Sequence, residues 1–146
     1  MKRRAFLAAS AIAPLLPQLA HAQATTPLAE LLDSVTKGAP AQKGRVKLEL
    51  PLLADNGNSV PLKVAVESPM TTADYVKAIH LVSERNPVRN MATFRLGPRT
   101  GRAEVSSLVR LAGSQRVVAV AEMADGSYWY DVTSVVVTLS ACMDES

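Results

Sequence analysis

The most reactive side chain of the sequence is a single cysteine in a polar segment. Cys142 is the only Cys among 146 residues, so it is either a free thiol or half of an intermolecular link. Residues 140–146 around it are mostly polar, so we expect an accessible thiol; a buried Cys packed as a small hydrophobe is the alternative. Asp144 and Glu145 follow it, and negative neighbours raise the pKa of a thiol. We therefore expect Cys142 to be a passive attachment point that a partner enzyme must activate.

The other residues that could do chemistry form no catalytic pattern. His80 is the only His after residue 22, and no HxH, HExxH or CxxC spacing accompanies it, so no metal site is predicted. The sequence also lacks phosphate-binding and dinucleotide-binding loops, and no cofactor or active site of its own is expected. His80 could serve as a base for Cys142, although the spacing does not select that role over a packed or surface histidine. The candidate acids are scattered over turns and strand faces: Asp74, Glu84, Glu122, Asp125 and Asp131.

Residues 1–22 have the composition of an export signal. Basic residues at positions 2–4 precede an apolar stretch over 5–16, and Ala20-His21-Ala22 supplies the small residues that a signal peptidase recognises. The order Arg3-Arg4-Ala5-Phe6-Leu7 resembles the twin-arginine export motif. An ordinary secretory signal and an N-terminal anchor helix are the alternatives. We predict a periplasmic mature protein that begins at Gln23.

Charge and hydropathy narrow the class of protein further. The chain is 48% hydrophobic and 20% charged, which is typical of one globular domain. The formal net charge of +3 comes from the leader, because removing residues 1–22 leaves 13 basic and 13 acidic groups. Nucleic-acid binding is therefore not predicted. No apolar run reaches the roughly 20 residues of a membrane-spanning helix, so no membrane association is expected after signal removal.

One helix and about seven strands must position these residues. Thr26 is the predicted N-cap and Pro27 the first helical residue, and apolar residues at helical spacing then predict a helix over 27–37 that Gly38 ends. From residue 46 the period changes to two, with turn residues every 8–12 positions. The predicted strands are 46–50, 60–67, 75–83, 88–96, 104–111, 116–123 and 127–139.

This spacing is typical of an immunoglobulin-like β-sandwich, predicted here for residues 23–139 and followed by an arm over 140–146. Asp55-Asn56-Gly57-Asn58 predicts a hairpin turn in which Asn and Gly tolerate positive φ. Pro61 lacks an amide hydrogen and is expected at an edge or a strand start, and alternation places Met91 opposite Ala92. The last strand is apolar on both faces, so its second face either meets a partner chain or fills a curved interior.

A series of short motifs runs through most of the mature sequence. Residues 50–61 fit the pattern Pro-x-x-Ala-(Asp/Glu)-Asn-Gly-x-x-Val-Pro, and further motifs follow in a fixed order. These are Glu67-Ser68-Pro69-Met70, Asp74-Tyr75-Val76, Asn86-Pro87, Phe94, Arg110-Leu111-Ala112 and Val120-Ala121-Glu122-Met123-Ala124-Asp125-Gly126-Ser127. In their order and joint occurrence they resemble the SoxY family, the sulfur-carrier subunits of the bacterial thiosulfate-oxidising system.

The resemblance implies an immunoglobulin-like sandwich that forms a heterodimer with a SoxZ-like subunit, which has no signal and is exported with it. It also implies that sulfur substrates are attached covalently to a cysteine on a C-terminal arm, which by position is Cys142 here. Cytochrome-type and manganese-type partner enzymes then process the bound sulfur. The expected function is that of a non-catalytic covalent carrier.

The arm departs from the Gly-Gly-Cys-Gly pattern of the family. Ser140, Ala141 and Met143 flank the cysteine, and each added Cβ restricts the backbone where glycine would leave it free. Three functions stay open: a carrier with altered enzyme partners, a paralogue with a different sulfur cargo, and an interaction module whose Cys142 carries nothing. Carriage of either cargo predicts that Cys142→Ser abolishes the sulfur adduct, whereas the interaction module predicts that the same change leaves partner binding intact.

Overall fold

The computed structural model describes residues 25–139 as two packed β-sheets with one helix on the outside. A 3₁₀ turn at Pro98–Thr100 joins the sixth strand to the seventh. Within the described residues, no helix is long and apolar enough to cross a membrane. The elements are α1 (Leu28–Thr36), β1 (Ala41–Lys43), β2 (Val46–Glu49), β3 (Leu53–Ala54), β4 (Val60–Val66), β5 (Val76–Ser83), β6 (Asn90–Arg95), β7 (Ala103–Val109), β8 (Gln115–Met123) and β9 (Tyr128–Val137).

The larger sheet has the strand order β1-β9-β8-β5-β6, and β3 also pairs with β9. The smaller sheet has the order β2-β4-β7. The short strands β1 and β3 run parallel to β9, and the other described pairings are antiparallel. Because β1 and β3 lie along one side of β9 and β8 along the other, β9 is an interior strand with paired neighbours up to its last residue.

Alternation of side chains builds the main core between the sheets. Residues two apart on one strand point to the same face, so Val60, Leu62, Val64 and Val66 of β4 all enter the core. The larger sheet contributes its inner face in the same way. Fully buried members from that sheet are Val76, Ile79, Leu81, Val117, Ala119 and Ala121.

A second, smaller core lies under α1 on the outer face of the larger sheet. Leu31 of α1 is fully buried against Val118 and Val120 of β8. Tyr130 and Val132 of β9 pack against the same cluster. The second apolar face of β9 is therefore covered, over the first part of the strand, by the chain's own helix.

The predicted fold class is confirmed, and the helix lies where the sequence placed it. Nine strands replace the predicted seven, because β1 and β3 have only three and two residues and show no alternation. The predicted N-cap at Thr26 is wrong. Pro27 occupies that position and its carbonyl accepts the amide hydrogens of Glu30 and Leu31, while the carbonyl of Thr26 accepts a hydrogen bond from Arg116.

Two local expectations need correction, and the expectation that Pro61 lies at a strand start is confirmed. Met91 does not lie opposite Ala92, because the β5–β6 pairing shifts register there and both side chains pack against the main core. Pro61 is in the central strand β4 but at its second residue, before the pairing with β2 starts at Lys63. None of residues 55–58 has positive φ. That turn is stabilised by the amide of Asn58, which donates to the side chain of Asn56 at 2.9 Å.

Candidate functional site

The structure describes the residues that lie immediately before the predicted arm. Cys142 itself lies outside the described residues, which end at Leu139. We define the arm root as Thr138 and Leu139 together with the loop 52–57 that holds them. The structure brings Thr138 and Leu139, the residues that precede the predicted arm, against this loop.

Three hydrogen bonds clamp the arm root. The amide of Thr138 donates to the carbonyl of Ala54 at 3.0 Å. Its hydroxyl donates to the carbonyl of Asp55 at 2.9 Å. The amide of Gly57 donates to the carbonyl of Leu139 at 2.7 Å. The backbone is therefore held up to the last described residue.

Gly57 also connects the arm root to the chain that follows β7. Its carbonyl accepts the amide hydrogen of Leu111 at 2.8 Å, while its own amide is bonded to Leu139. Backbones joined in this way lie about 5 Å apart, so Leu139 and Leu111 are separated by roughly 10 Å. The sequence gave no sign of this bridge, because it joins three segments far apart along the chain. The only available signal was that Gly57 and Leu111 both belong to the family-like motifs.

Four exposed apolar side chains lie in the arm root or next to it. Leu53 and Val136 are register partners of the β3–β9 pair and are 57% and 53% exposed. Leu52 is 77% exposed and Leu139 is 59% exposed. We call these four residues the root patch. Clustered exposed leucine and valine side chains are typical of a surface that contacts another molecule.

Two grooves lie near the smaller sheet. The face groove, of about 610 Å³, lies on the outer face of that sheet and is lined by Leu50, Pro51, Pro61 and Lys63 among others. The edge groove, of about 400 Å³, lies between β6 and β7. Its lining includes Val88, Met91, Leu108 and Arg110.

His80 has structural partners on the larger sheet. Its Nδ1 lies 3.0 Å from the hydroxyl of Thr93, and its Nε2 lies 3.4 Å from a carboxylate oxygen of Glu122. The other oxygen of Glu122 pairs with Lys77 at 3.4 Å. This arrangement holds the imidazole between neighbouring strands and leaves neither ring nitrogen without a partner.

The register separates His80 from the arm root. His80 is paired with Val120, and Val120 with Tyr130. Tyr130 is seven residues before Val137, which corresponds to about 23 Å of strand. His80 is therefore remote from the arm root, while its relation to Cys142, which lies outside the described residues, stays a prediction.

The candidate acids are each engaged in a separate structural contact. Asp74 pairs with Arg45 at 3.3 Å, and Asp131 accepts the amide hydrogen of Leu48 at 2.9 Å. Hydrogen bonds from the hydroxyl and amide of Ser127 lower the pKa of Asp125. Within residues 25–139, no three His, Cys, Asp or Glu side chains are arranged to hold a metal ion.

Among the ion-paired carboxylates of the described residues, Glu84 has the least exposed side chain, and its partner is Arg116. Arg116 donates to Glu84 from Nη2 at 2.9 Å and from Nε at 3.2 Å. Those hydrogen bonds hold the pKa of the Glu84 carboxyl below its ordinary value, and the carboxylate raises the pKa of Arg116 in return. The same guanidinium also donates to the carbonyl of Thr26. This contact ties the segment before α1 to the sheet and takes no part in the arm root.

Residues 31–142 match the profile of a family described as sulfur oxidation protein SoxY. No curated protein matches the chain significantly. Among solved structures, the sulfur carrier protein SoxY from Chlorobium limicola f thiosulfatophilum is similar, with a TM-score of 0.63 and 26% identity over 77% of this chain and 96% of that one.

Superoxide reductases share the fold. The enzyme (neelaredoxin) from Ignicoccus hospitalis has a TM-score of 0.57 at 18% identity, over 64% of this chain and 80% of that one. A putative superoxide reductase from Thermotoga maritima has a TM-score of 0.53 at 17% identity, over 70% of this chain and 89% of that one. At these identities the likeness concerns the sandwich architecture alone.

Proposed function

Because the chain belongs to the SoxY family of sulfur oxidation proteins, we propose that it is a periplasmic sulfur carrier that holds sulfur intermediates covalently on Cys142. The observation that carries this proposal is the extent of the family match. It runs to residue 142 and so includes the only cysteine of the chain. The proteins of this family are described as sulfur carriers. Cysteine is the residue type whose side chain forms a reversible covalent bond to sulfur, and Cys142 is the only one in the sequence.

The geometry of the arm root supports carriage on a tether. Cys142 is three residues beyond Leu139. An extended chain spans at most about 3.6 Å per residue, so the two Cα atoms lie within roughly 11 Å. A sulfur group bound to Cys142 would therefore stay close to the root patch as long as the hydrogen bonds of the arm root hold. A partner enzyme that contacts the root patch would then find the thiol at a defined distance.

The attachment chemistry needs an electron acceptor from outside the carrier. Joining the Cys142 thiol to the outer sulfur of thiosulfate forms one S–S bond and releases one proton and two electrons. We propose that a cytochrome-type partner enzyme accepts the electrons and activates the thiol, since Asp144 and Glu145 disfavour the thiolate. The carrier contributes the nucleophilic sulfur and its placement, and catalysis belongs to the partners that act on the arm.

We further propose that a SoxZ-like subunit pairs with the folded domain. Residues 1–22 would direct export by the twin-arginine route, which carries folded proteins together with a bound partner that lacks a signal. Residues 23–139 would form the domain that binds this subunit, and residues 140–146 would form the arm. The proposed protein is thus one half of an exported heterodimer.

The proposal is tested by the intact mass of the protein isolated from cells that are oxidising thiosulfate. We expect a sulfur-containing mass increment that a thiol reductant removes and that is absent from the Cys142→Ser variant. The serine variant is a matched control, because it removes the only thiol and leaves every described contact in place.

An unmodified Cys142 under those conditions would contradict carriage. If the same unmodified protein still binds a SoxZ-like subunit, the function is that of an interaction module. The glycine-free arm is the feature that favours this second function, because Ala141 and Met143 widen the segment that must enter a partner's active site.

A further inference from the structure

We propose that Asn56 is a site of spontaneous deamidation that the arm root keeps unreactive. The side-chain amide would be lost only while the hydrogen bond between Gly57 and Leu139 is open, and the isoaspartate product would prevent that bond from forming again. The proposal concerns the lifetime of the arm root and does not rest on the proposed role of Cys142.

The dipeptide Asn56-Gly57 has the chemistry for this reaction. The backbone nitrogen of Gly57 attacks the side-chain carbonyl carbon of Asn56, and the new N–C bond closes a succinimide ring. The bond from that carbon to the side-chain nitrogen breaks, and this nitrogen leaves as ammonia with the proton of the Gly57 amide. Water then opens the ring to aspartate or isoaspartate, so no oxidant or reductant is needed. Glycine favours the attack because it has no Cβ beside the attacking nitrogen.

The hydrogen bonds of Gly57 oppose the attack. Gly57 is buried, its amide donates to the carbonyl of Leu139 at 2.7 Å, and its carbonyl accepts the amide hydrogen of Leu111 at 2.8 Å. To react, the nitrogen must lose its proton and turn toward the side chain of Asn56. Breaking a buried backbone hydrogen bond without a replacement is costly. The attack therefore requires that the arm root open first.

The side chain of Asn56 is already accessible in the closed arm root. Asn56 is exposed, and its Oδ1 accepts the amide hydrogen of Asn58 at 2.9 Å. This bond fixes the orientation of the carboxamide, while water can still reach it. The rate is therefore controlled by the nucleophile, Gly57, and not by access of solvent to Asn56.

The other three asparagines of the sequence serve as internal references. Asn58 is followed by serine, Asn86 by proline and Asn90 by methionine. A side chain on the following residue obstructs the attack, and proline has no amide hydrogen to lose. In the denatured chain, Asn56 should therefore deamidate faster than each of them.

The isoaspartate product changes the backbone of the arm root. It adds one methylene to the main chain between residues 56 and 57, so their Cα atoms move beyond the spacing of about 3.8 Å across an ordinary peptide bond. The Gly57 amide would no longer face the carbonyl of Leu139 while the Gly57 carbonyl stays bonded to Leu111. A reversible opening of the arm root would thus become permanent.

The test is the rate of deamidation at Asn56, measured by peptide mapping with mass spectrometry. The mature protein is incubated at mildly alkaline pH under native and under denaturing conditions. We expect the native rate to be at least about tenfold lower, because the hydrogen bonds of the arm root must open before the attack. Equal rates would overturn the proposal.

Thr138→Val and Thr133→Val are a matched pair of variants. Each removes a hydroxyl that donates to a backbone carbonyl, that of Asp55 in the arm root at 2.9 Å and that of Leu48 outside it at 3.2 Å. Thr138→Val should raise the native rate about two- to tenfold, the factor for one lost hydrogen bond, and Thr133→Val should leave it unchanged. No increase in Thr138→Val would overturn the proposal. An equal increase in Thr133→Val would also overturn it, because the reaction would then follow unfolding of the whole domain.

Hydrogen exchange of the Gly57 amide measures the opening directly. Thr138→Val should raise the exchange rate and the deamidation rate by the same factor, since both need the same open state. Faster exchange without faster deamidation would contradict the role of the bond to Leu139. These measurements are made without sulfur cargo, so failure of this proposal and failure of carriage on Cys142 are distinguishable.

Discussion

Glu84 shows how one ion pair fastens the start of the domain. Its side chain is only 9% exposed and receives three hydrogen bonds from Arg116, one from the amide and two from the guanidinium, which also donates to the carbonyl of Thr26. An enclosed carboxylate that loses its partner or its charge leaves the other group unsatisfied, which is costly away from water. The pair therefore holds the segment before α1 against β8.

We predict that Glu84→Gln lowers the free energy of unfolding at pH 7 by about 1–3 kcal/mol. The folded-state pKa of Glu84 lies below its ordinary value of 4.5, so its contribution is present above that value and is lost as the pH falls through the lowered pKa. Denaturant unfolding at pH 7 and at pH 3 measures the difference, which should shrink at the lower pH.

Glu104 is the matched control for this prediction. It pairs with Lys63 at 3.6 Å, but both side chains are more than 40% exposed, so Glu104→Gln should change stability by less than about 1 kcal/mol. A Glu84→Gln effect no larger than that of Glu104→Gln, or one that does not depend on pH, would mean that the Glu84–Arg116 pair contributes little.

At the scale of elements, α1 covers the second apolar face of β9, for which the sequence did not identify a partner. Leu31 is completely buried and joins Val82, Val118 and Val120 in the second core. Apolar spacing predicted the helix and the apolar face of β9, but not that one would cover the other. Periodicity shows which face of an element is apolar, whereas the partner of that face depends on how the connecting segments turn.

We predict that Leu31→Ala destabilises the domain by about 2–5 kcal/mol, the range for truncating a buried leucine. Leu52→Ala is the control, since Leu52 is 77% exposed and should change stability by less than about 0.5 kcal/mol. The measurement is the free energy of unfolding in denaturant for both variants. A small loss for Leu31→Ala would mean that α1 is not part of the cooperative fold.

At the scale of the whole molecule, the sequence predicted the sandwich better than the site. Long strands such as the alternating β4 and β8, which has a continuous apolar run at its centre, determine the two sheets, and the family-like motifs pointed to Cys142. The arm root was not predictable in the same way. It depends on a two-residue parallel strand, β3, and on Gly57 bonding to Leu139 across the molecule. Contacts between segments so distant in sequence leave no local pattern.

The division between domain and arm leads to a prediction about assembly. If a SoxZ-like subunit binds the folded domain and cargo binds the arm, Cys142→Ser should abolish the sulfur adduct and leave the heterodimer intact. We expect the Kd for the purified subunit to change by no more than about twofold, because independent sites contribute additively within a few tenths of a kcal/mol. Calorimetric titration of wild type and variant with that subunit measures both values. A tenfold weaker Kd in the serine variant would place the thiol inside the interface, and carriage and assembly would then compete for the same residue.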